Sequence, residues 1–321
     1  MRIIKRDGYE IILSDKVTAQ SSCVLALGNF DGVHIAHAAL LDSAMELKER
    51  IGATYVGVWC FEQNPLEFFS ATPPKRILAK NDKISLFLEY GIDFVVIGDF
   101  AKFRDVPASS FIQDHLAKEL GCIGAVCGFN FRFGQRRAGD PSMLKAAFGE
   151  ENCVIVDEIQ LDGVTVSSTK IREFISFGDM ESVNKFLGRP YFLNTTVTGG
   201  KRLGNSIGFP TANQRFPEKC IIPQHGIYAT VCTTADGKKH IGVSNVGIRP
   251  TITDGSDSHA VNCETYIIDF KGDIYGQNLK VEFYKLLREE KKFGSVDELR
   301  QAIDNDAKSA LAFFADAEVA F

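Results

Sequence analysis

Two histidines, His34 and His37, stand three residues apart just after the turn Gly28-Asn29-Phe30-Asp31-Gly32. Residues three apart share one face of a helical turn. An apolar segment, Val24–Leu27, leads into the turn, and an amphipathic stretch follows it. In α/β proteins ligands sit where a strand ends and the next helix begins. Free N–H groups at a helix start attract phosphate. The pattern predicts a cationic clamp for the phosphates of a nucleotide, with Gly28, Phe30 and Asp31 beside it. Taken alone, two histidines at this spacing also fit a surface pair or a helix cap. Zinc is disfavoured, because no His-Glu-x-x-His and no cysteine pair at zinc spacing accompanies them.

Other clusters carry compatible chemistry. The run Val166–Glu173 places the hydroxyls of Ser167, Ser168 and Thr169 beside Lys170 and Arg172. Hydroxyls hold phosphate oxygens, and arginine grips them in bidentate fashion. The same run also reads as an N-cap followed by solvent-facing charge. Between Gly128 and Asp140, Phe129, Phe131 and Phe133 alternate with Asn130 and Arg132. That suits a flat heteroaromatic ligand and equally an aromatic loop packed on the core. From Gly199 to Asn213 a glycine-rich basic loop, with Gly200, Lys201 and Arg202, leads into Phe-Pro-Thr-Ala-Asn. Glycines let backbone approach phosphate. Thr211 and Asn213 present two oxygens on one strand face, suited to a hard cation such as Mg²⁺. A hairpin loop followed by an edge strand bearing Pro210 is the alternative. Near the end, Glu264 alternates with Cys263 and Thr265 on a face shared with Tyr266 and Ile268, which predicts a partly enclosed carboxylate.

These residues must be positioned by two kinds of architecture. The first half alternates strands (Val24–Leu27, Tyr55–Phe61, Phe94–Ile97, Ile123–Cys127, Cys153–Val156) with helical stretches. One helix carries Leu40, Ala44, Leu47 and Ile51 and stops at Gly52; another runs through Phe111, His115, Leu116 and Leu120 before Gly121. This alternation implies a parallel sheet covered on both faces. After about Gly188 the segments become short, alternating and β-branched: Tyr228–Thr234, Lys239–Ser244, Glu264–Phe270 and Leu279–Tyr284. Asp236-Gly237 between the first two signals a hairpin. This half reads as a small antiparallel barrel. It closes with a helix announced by Ser295 and Glu298 and striped by Leu299, Ile303, Ala307, Ala310 and Phe314. The expected division is 1–187 and 188–321.

At 321 residues the chain suffices for two cores. With 24% charged and 45% hydrophobic residues, it reads as a soluble globular protein. A net charge of −5 argues against nucleic acid as a partner. The eight cysteines contain no C-x-x-C and fall in apolar segments, the usage of reduced thiols in a cytoplasmic protein. No run approaches a membrane span, and MRIIKRDGYEIIL is too charged for a leader. A homo-oligomer is left open.

The motifs GNFDGVHIAH, GFNFRFG and SSTKIR, in that order, resemble the nucleotidyltransferases with an H-x-G-H signature. They are most similar to the adenylyltransferase half of bacterial bifunctional riboflavin kinase/FMN adenylyltransferases (FAD synthetases). GGKRLGNSIGFPTAN, GVSNVGIRPT, CETYIIDF, IYG and LLREEKKF extend the resemblance through the riboflavin kinase half. It implies a Rossmann-like nucleotidyltransferase domain followed by a riboflavin kinase barrel with a C-terminal helix. It further implies that riboflavin is phosphorylated to FMN, and FMN adenylylated to FAD, with MgATP used twice. His34, His37, Ser167, Ser168, Thr169 and Arg172 would then handle ATP phosphates. Asn130, Phe131, Phe133 and Arg288 would face flavin, and Glu264 would be the kinase base. The family's H-x-G-H glycine is Ala36 here, its Pro-His-Pro-like segment reads Gln63-Asn64-Pro65, and Asn205 stands where the family often has arginine. A riboflavin kinase with a degenerate first domain, or a non-catalytic flavin-binding regulator, are the alternatives, distinguished by turnover of ATP.

Overall fold

The structure is a computed structural model that describes residues 1–18, 21–63, 65–199, 209–248 and 261–316. The chain divides into two compact units, Met1–Ser168 and Thr169–Phe321.

The first unit contains β1 (Arg2–Arg6), β2 (Tyr9–Leu13), β3 (Cys23–Leu27), β4 (Tyr55–Phe61), β5 (Phe94–Gly98), β6 (Cys122–Gly128) and β7 (Cys153–Val156). They form one sheet in the order β1-β2-β5-β4-β3-β6-β7. From β5 to β7 neighbouring strands run parallel, as the alternation predicts. Every residue of the central β3 is buried, the pattern of a strand covered on both faces. The helix Ile35–Ile51 follows it, burying Leu40, Leu41, Ala44 and Leu47. Gly52 ends this helix in the left-handed region (φ 67°), where its N–H reaches the last carbonyls. The β1–β2 hairpin is an addition that the sequence pattern did not disclose. It pairs antiparallel with β5. Tyr9, Ile12 and Leu13 anchor it in the core. The exposed edge strand carries Arg2, Lys5 and Arg6, and such charges oppose edge-to-edge association. A short hairpin, β8 (Gln160–Leu161) with β9 (Val164–Thr165), leads to Val166–Ser168.

The second unit contains β10 (Tyr191–Thr196), β11 (Thr211–Arg215), β12 (Gly226–Thr233), β13 (Lys239–Ile248), β14 (Val261–Ile267) and β15 (Asn278–Arg288). The sheet order is β10-β15-β12-β13-β14-β11, with all pairs antiparallel. Thr198, just beyond β10, bridges Asn213 of β11 through its N–H at 2.8 Å, and so closes the barrel. Closure removes the free edges of the sheet. The inner face buries Tyr228, Val246, Leu279, Val281 and Phe283. It also holds a hydroxyl chain: Thr230 to Ser244 at 2.9 Å and Ser244 to Thr265 at 2.8 Å. Each hydroxyl is thereby satisfied where water cannot reach it. On the outer face Ile227, Ala229, Val231 and Val243 pack under Ala307, Ala310 and Phe314 of the helix Val296–Asp316.

The helix Met180–Leu187 belongs with this second unit, so the compact division falls earlier than the sequence reading placed it. The reason is polar as well as apolar. Asn184 Nδ2 donates to the Phe283 carbonyl, and Asn184 Oδ1 accepts from the Tyr191 N–H, both at 2.8 Å. All eight cysteines are buried and unpaired.

Candidate active sites

His34 is the N-cap of the helix Ile35–Ile51, with φ −82° and ψ 174°. Its Nδ1 accepts from the His37 N–H at 3.3 Å, and His37 Nδ1 accepts from the His34 N–H at 3.4 Å. The two imidazoles thus form a reciprocal capping box. Their rings stack 3.6 Å apart at 14°. With both Nδ1 atoms accepting, each neutral ring carries its proton on Nε2 and keeps one donor there. Burial pushes His37 well below the ordinary histidine range, and the neighbouring His34 and Lys83 add to the fall. His37 is therefore neutral in the free protein near pH 7. The expected cationic clamp is, at His37, a neutral donor, because a buried imidazole beside another imidazole and a lysine resists protonation.

The preceding turn holds Phe30 (φ 53°), Gly32 (φ 87°) and Val33 (φ 42°) in the left-handed region. A Cβ on Gly32 would come within 2.9 Å of Ile77 Cδ1. Phe30 and Asp31 were expected at the nucleotide, but the fold uses them as supports. Phe30 is fully buried, edge-on to Phe87 at 5.4 Å and against His37 at 5.0 Å. Asp31 Oδ1 accepts from the Ile77 N–H at 2.9 Å, and its carbonyl accepts from Ser168 Oγ at 2.8 Å.

A cavity of about 310 Å³ opens here, lined by Gly28, Asn29, His34, Ala36, His37, Asn130, Ser167 and Ser168 among others. Phe129 and Phe131 also line it. Phe133 does not: it is 7% exposed, joins the core, and stacks beneath Phe131 at 5.6 Å. A regular strand would put these three rings on one face; here the chain turns at 129–130 and only Phe133 bridges Gly139, so the rings part. Asp157 and Glu158 line the cavity too, without a sequence signal beyond their place before the Ser-Ser-Thr run. Thr169 and Arg172 lie further along the helix Ser168–Ser176, where Arg172 Nη2 donates to Thr169 Oγ1 at 3.3 Å.

The second site lies on the outer face of the barrel. A cavity of about 190 Å³ brings together Thr211, Asn245, Glu264, Tyr266 and Arg288. Glu264 pairs directly with Asn213 on one neighbouring strand and with Asn245 on the other. Directly paired residues share a face, so a carboxylate stands between two amides. Among the described residues, Asn213 Oδ1 and Asn245 Oδ1 are buried without a hydrogen-bond partner. Buried oxygens of this kind point to a missing donor or cation. Thr211 also lines an adjoining cavity of about 300 Å³ with Asp273, Ile274 and Tyr275.

Arg288 is neither exposed nor free. Its Nε and Nη2 donate to Asp306 Oδ1 and Oδ2 at 2.8 and 2.7 Å, and Nη1 to the Glu289 carbonyl at 3.0 Å. Asp306 sits among the apolar stripe of the helix Val296–Asp316, 7% exposed. A lone acid on a buried stripe was the available signal for this partner. Gly200, Lys201, Arg202 and Asn205 lie outside the described residues, as does Asn64. Gln63 is described, and its Oε1 is buried with no partner among the described residues.

A parallel-sheet unit with a cavity at a strand–turn–helix junction, and a barrel with a carboxylate between amides, are the architecture of a two-domain transferase of nucleotide chemistry. Residues 16–170 match the FAD synthetase family, and residues 187–314 match the riboflavin kinase family. The bifunctional riboflavin kinase/FMN adenylyltransferase of Haemophilus influenzae is 35% identical over 296 residues, 91% of this chain and 94% of that one. That of Escherichia coli K12 is 35% identical over 300 residues, 92% and 94%. That of Bacillus subtilis is 32% identical over 301 residues, 92% and 94%. The chain belongs to the bifunctional riboflavin kinase/FMN adenylyltransferase family. The crystal structure of a macrolide-efflux protein from Streptococcus pneumoniae has a TM-score of 0.81 at 26% identity, covering 92% of this chain and 95% of that one. No helix among the described residues is long and apolar enough to cross a membrane.

Proposed function

We propose that the two reactions of this family run at the two cavities, FMN adenylylation in the first unit and riboflavin phosphorylation in the second. The protein makes FMN from riboflavin and ATP, then FAD from FMN and a second ATP. The observation that carries the reading is the pairing of the histidine capping box with Ser167 and Ser168 in one cavity, and of Glu264 with Thr211 in the other.

In the first cavity an FMN phosphate oxygen attacks the α-phosphorus of ATP. A new P–O bond forms, the bond to the β-phosphate bridge breaks, and pyrophosphate leaves. The chain need form no covalent intermediate; it aligns the reactants and meets developing charge with fixed donors. His34 and His37 supply Nε2–H donors at the helix N-terminus, where the backbone also favours anions. Ser167 adds a hydroxyl, and Ser168 clasps the helix start to the turn. Phe129 and Phe131 offer ring faces to flavin or adenine.

In the second cavity the ribityl 5′-hydroxyl attacks the γ-phosphorus of ATP, and ADP leaves. Glu264 takes the hydroxyl proton. The transition state is loose, so the proton departs late and an ordinary carboxylate suffices. Arg288, held by Asp306, fixes the wall on which the flavin lies. Gly200, Lys201 and Arg202 would cover the phosphates. The oxygens of Thr211 and Asn213 fit Mg²⁺: both are hard donors on one strand face, and Asn213 Oδ1 is buried with no partner among the described residues. Bound there, the cation would neutralise phosphate charge. Eight buried thiols and the lack of a disulfide suit a cytoplasmic enzyme.

The direct test is to incubate the purified chain with riboflavin and MgATP and to separate the flavins by chromatography. FMN should appear first and FAD after it. FMN without FAD would confine activity to the barrel; no ATP consumption with flavin bound would make the chain a flavin sensor. Asn213→Ala should raise the Mg²⁺ concentration needed for half-maximal riboflavin phosphorylation by about tenfold, with activity partly recovered in excess metal. A metal titration like that of the unaltered enzyme would place the cation elsewhere.

A further inference from the structure

Lys83 projects from the helix Lys80–Glu89 and is 8% exposed. Its Nζ donates to two backbone carbonyls, Asn29 at 3.4 Å and Phe61 at 3.3 Å. Among the described residues it makes no ion pair; Glu10 and Glu62 pair with Lys80 instead. A buried ammonium without a carboxylate is costly, and an apolar residue of similar length would serve packing alone at less expense. Asn29 lines the first cavity, and Phe61 ends β4.

We infer that Lys83 is a positioning residue for adenylyl transfer, pinning the Asn29 turn to the end of β4 and holding a fixed positive charge behind the histidine pair. The inference rests on the first cavity being the ATP site. Its geometric basis is the two carbonyl contacts of Lys83 and a run of packing beside them: Lys83 and Phe87 share one helix, Phe87 packs on Phe30, and Phe30 packs on His37.

The charges that face His37 support it. His34 comes from its own helix, and Lys83 from the helix Lys80–Glu89. From the turn, Phe30 is uncharged, and the Asp31 carboxylate is engaged by the Ile77 N–H; Asp157 and Glu158 line the same cavity, and Glu158 accepts from Gln160 Nε2 and Thr165 Oγ1. Behind Lys83 lies Cys60, whose thiol is pushed up by burial and so offers no anion. Lys83 is thus the cation that, after burial and His34, disfavours protonation of His37. In the free enzyme His37 presents a neutral Nε2–H. When phosphates arrive they meet that donor with a cation behind it, without a proton having to be taken up first.

The test uses the full-length enzyme and two variants. Lys83→Gln keeps a donor for a carbonyl and removes the charge; Lys83→Arg keeps the charge. Three readouts are taken: the His37 ring titration by NMR, the pH profile of FAD formation from FMN and MgATP, and riboflavin phosphorylation as an internal control. In Lys83→Gln the His37 titration should move upward, the acid limb of the profile should move with it, and kcat/KM for FAD formation should fall about tenfold. Riboflavin phosphorylation should stay unchanged. Lys83→Arg should leave the His37 titration near that of the unaltered enzyme. An unmoved His37 titration in folded Lys83→Gln overturns the inference. If Lys83→Gln does not fold, Lys83→Arg decides: His37 titrating in the ordinary range despite the retained charge overturns it too. A parent enzyme that makes no FAD would instead overturn the reading of the cavity, and the NMR titration would still report on Lys83.

Discussion

Glu264→Gln is expected to lower riboflavin phosphorylation by roughly two to four orders of magnitude, the usual range for loss of a general base. The substitution keeps the size of the side chain and its capacity for hydrogen bonding. It removes only the proton acceptor. Glu264 stands in register between Asn213 and Asn245, so a glutamine there has polar neighbours and little reason to disturb the barrel. The strand is held on its inner face by Cys263 and Thr265, both fully buried. FAD formation from supplied FMN should continue, because the proposed adenylylation cavity is lined entirely by residues of the first unit. The measurement is the rate of FMN formation by chromatography beside the rate of FAD formation. Near-normal phosphorylation in this variant would remove Glu264 as the base.

His37→Ala should nearly abolish FAD formation and spare FMN formation. Removing one preorganised donor typically costs about 2.7–4 kcal/mol of transition-state stabilisation. The alanine variant also loses half of the capping box, worth about 1 kcal/mol of helix stability. His37→Gln separates the two effects. A glutamine three residues after the cap can reach back to the His34 N–H, yet it has no imidazole Nε2. FAD formation should therefore fall in both variants, while the melting temperature falls mainly with alanine. Burial sets the pH behaviour. His37 titrates below its ordinary value of 6.5 in the folded chain, so on acidification the unfolded chain takes up its proton first. Its contribution to stability is present above about pH 6.5 and is lost as the pH falls from there through the folded value. His37→Gln should flatten that acid-side loss in thermal melts. Undiminished FAD synthesis in His37→Gln would deny the imidazole any part in the reaction.

Much of this architecture was readable from periodicity alone. The strands Tyr55–Phe61 and Cys153–Val156 lie where their apolar runs placed them. The helix after the histidines stops at Gly52 as its pattern required. A parallel first half and an antiparallel second half follow from whether helices or tight turns join successive strands. The residues that gather at the two cavities were visible too, since Thr211, Glu264 and Arg288 belong to short motifs in distinct segments.

Other features depend on distances that no one-dimensional pattern contains. The segment MRIIKRDGYEIIL joins the sheet because β2 finds the open edge of β5, a long-range pairing. Phe129 and Phe131 reach the cavity while Phe133 turns into the core, a choice made by the packing of Phe133 against Phe111 and Phe131. Phe30 belongs to the core for a similar reason. Arg288 is anchored by Asp306 from another element, 18 residues away along the chain. The sequence by itself determined which residue types stand near one another along the strands, turns and helices, because local chain geometry sets those spacings. Only the tertiary structure decided the chemical state of His37, because desolvation and the approach of Lys83 arise when separate elements pack together.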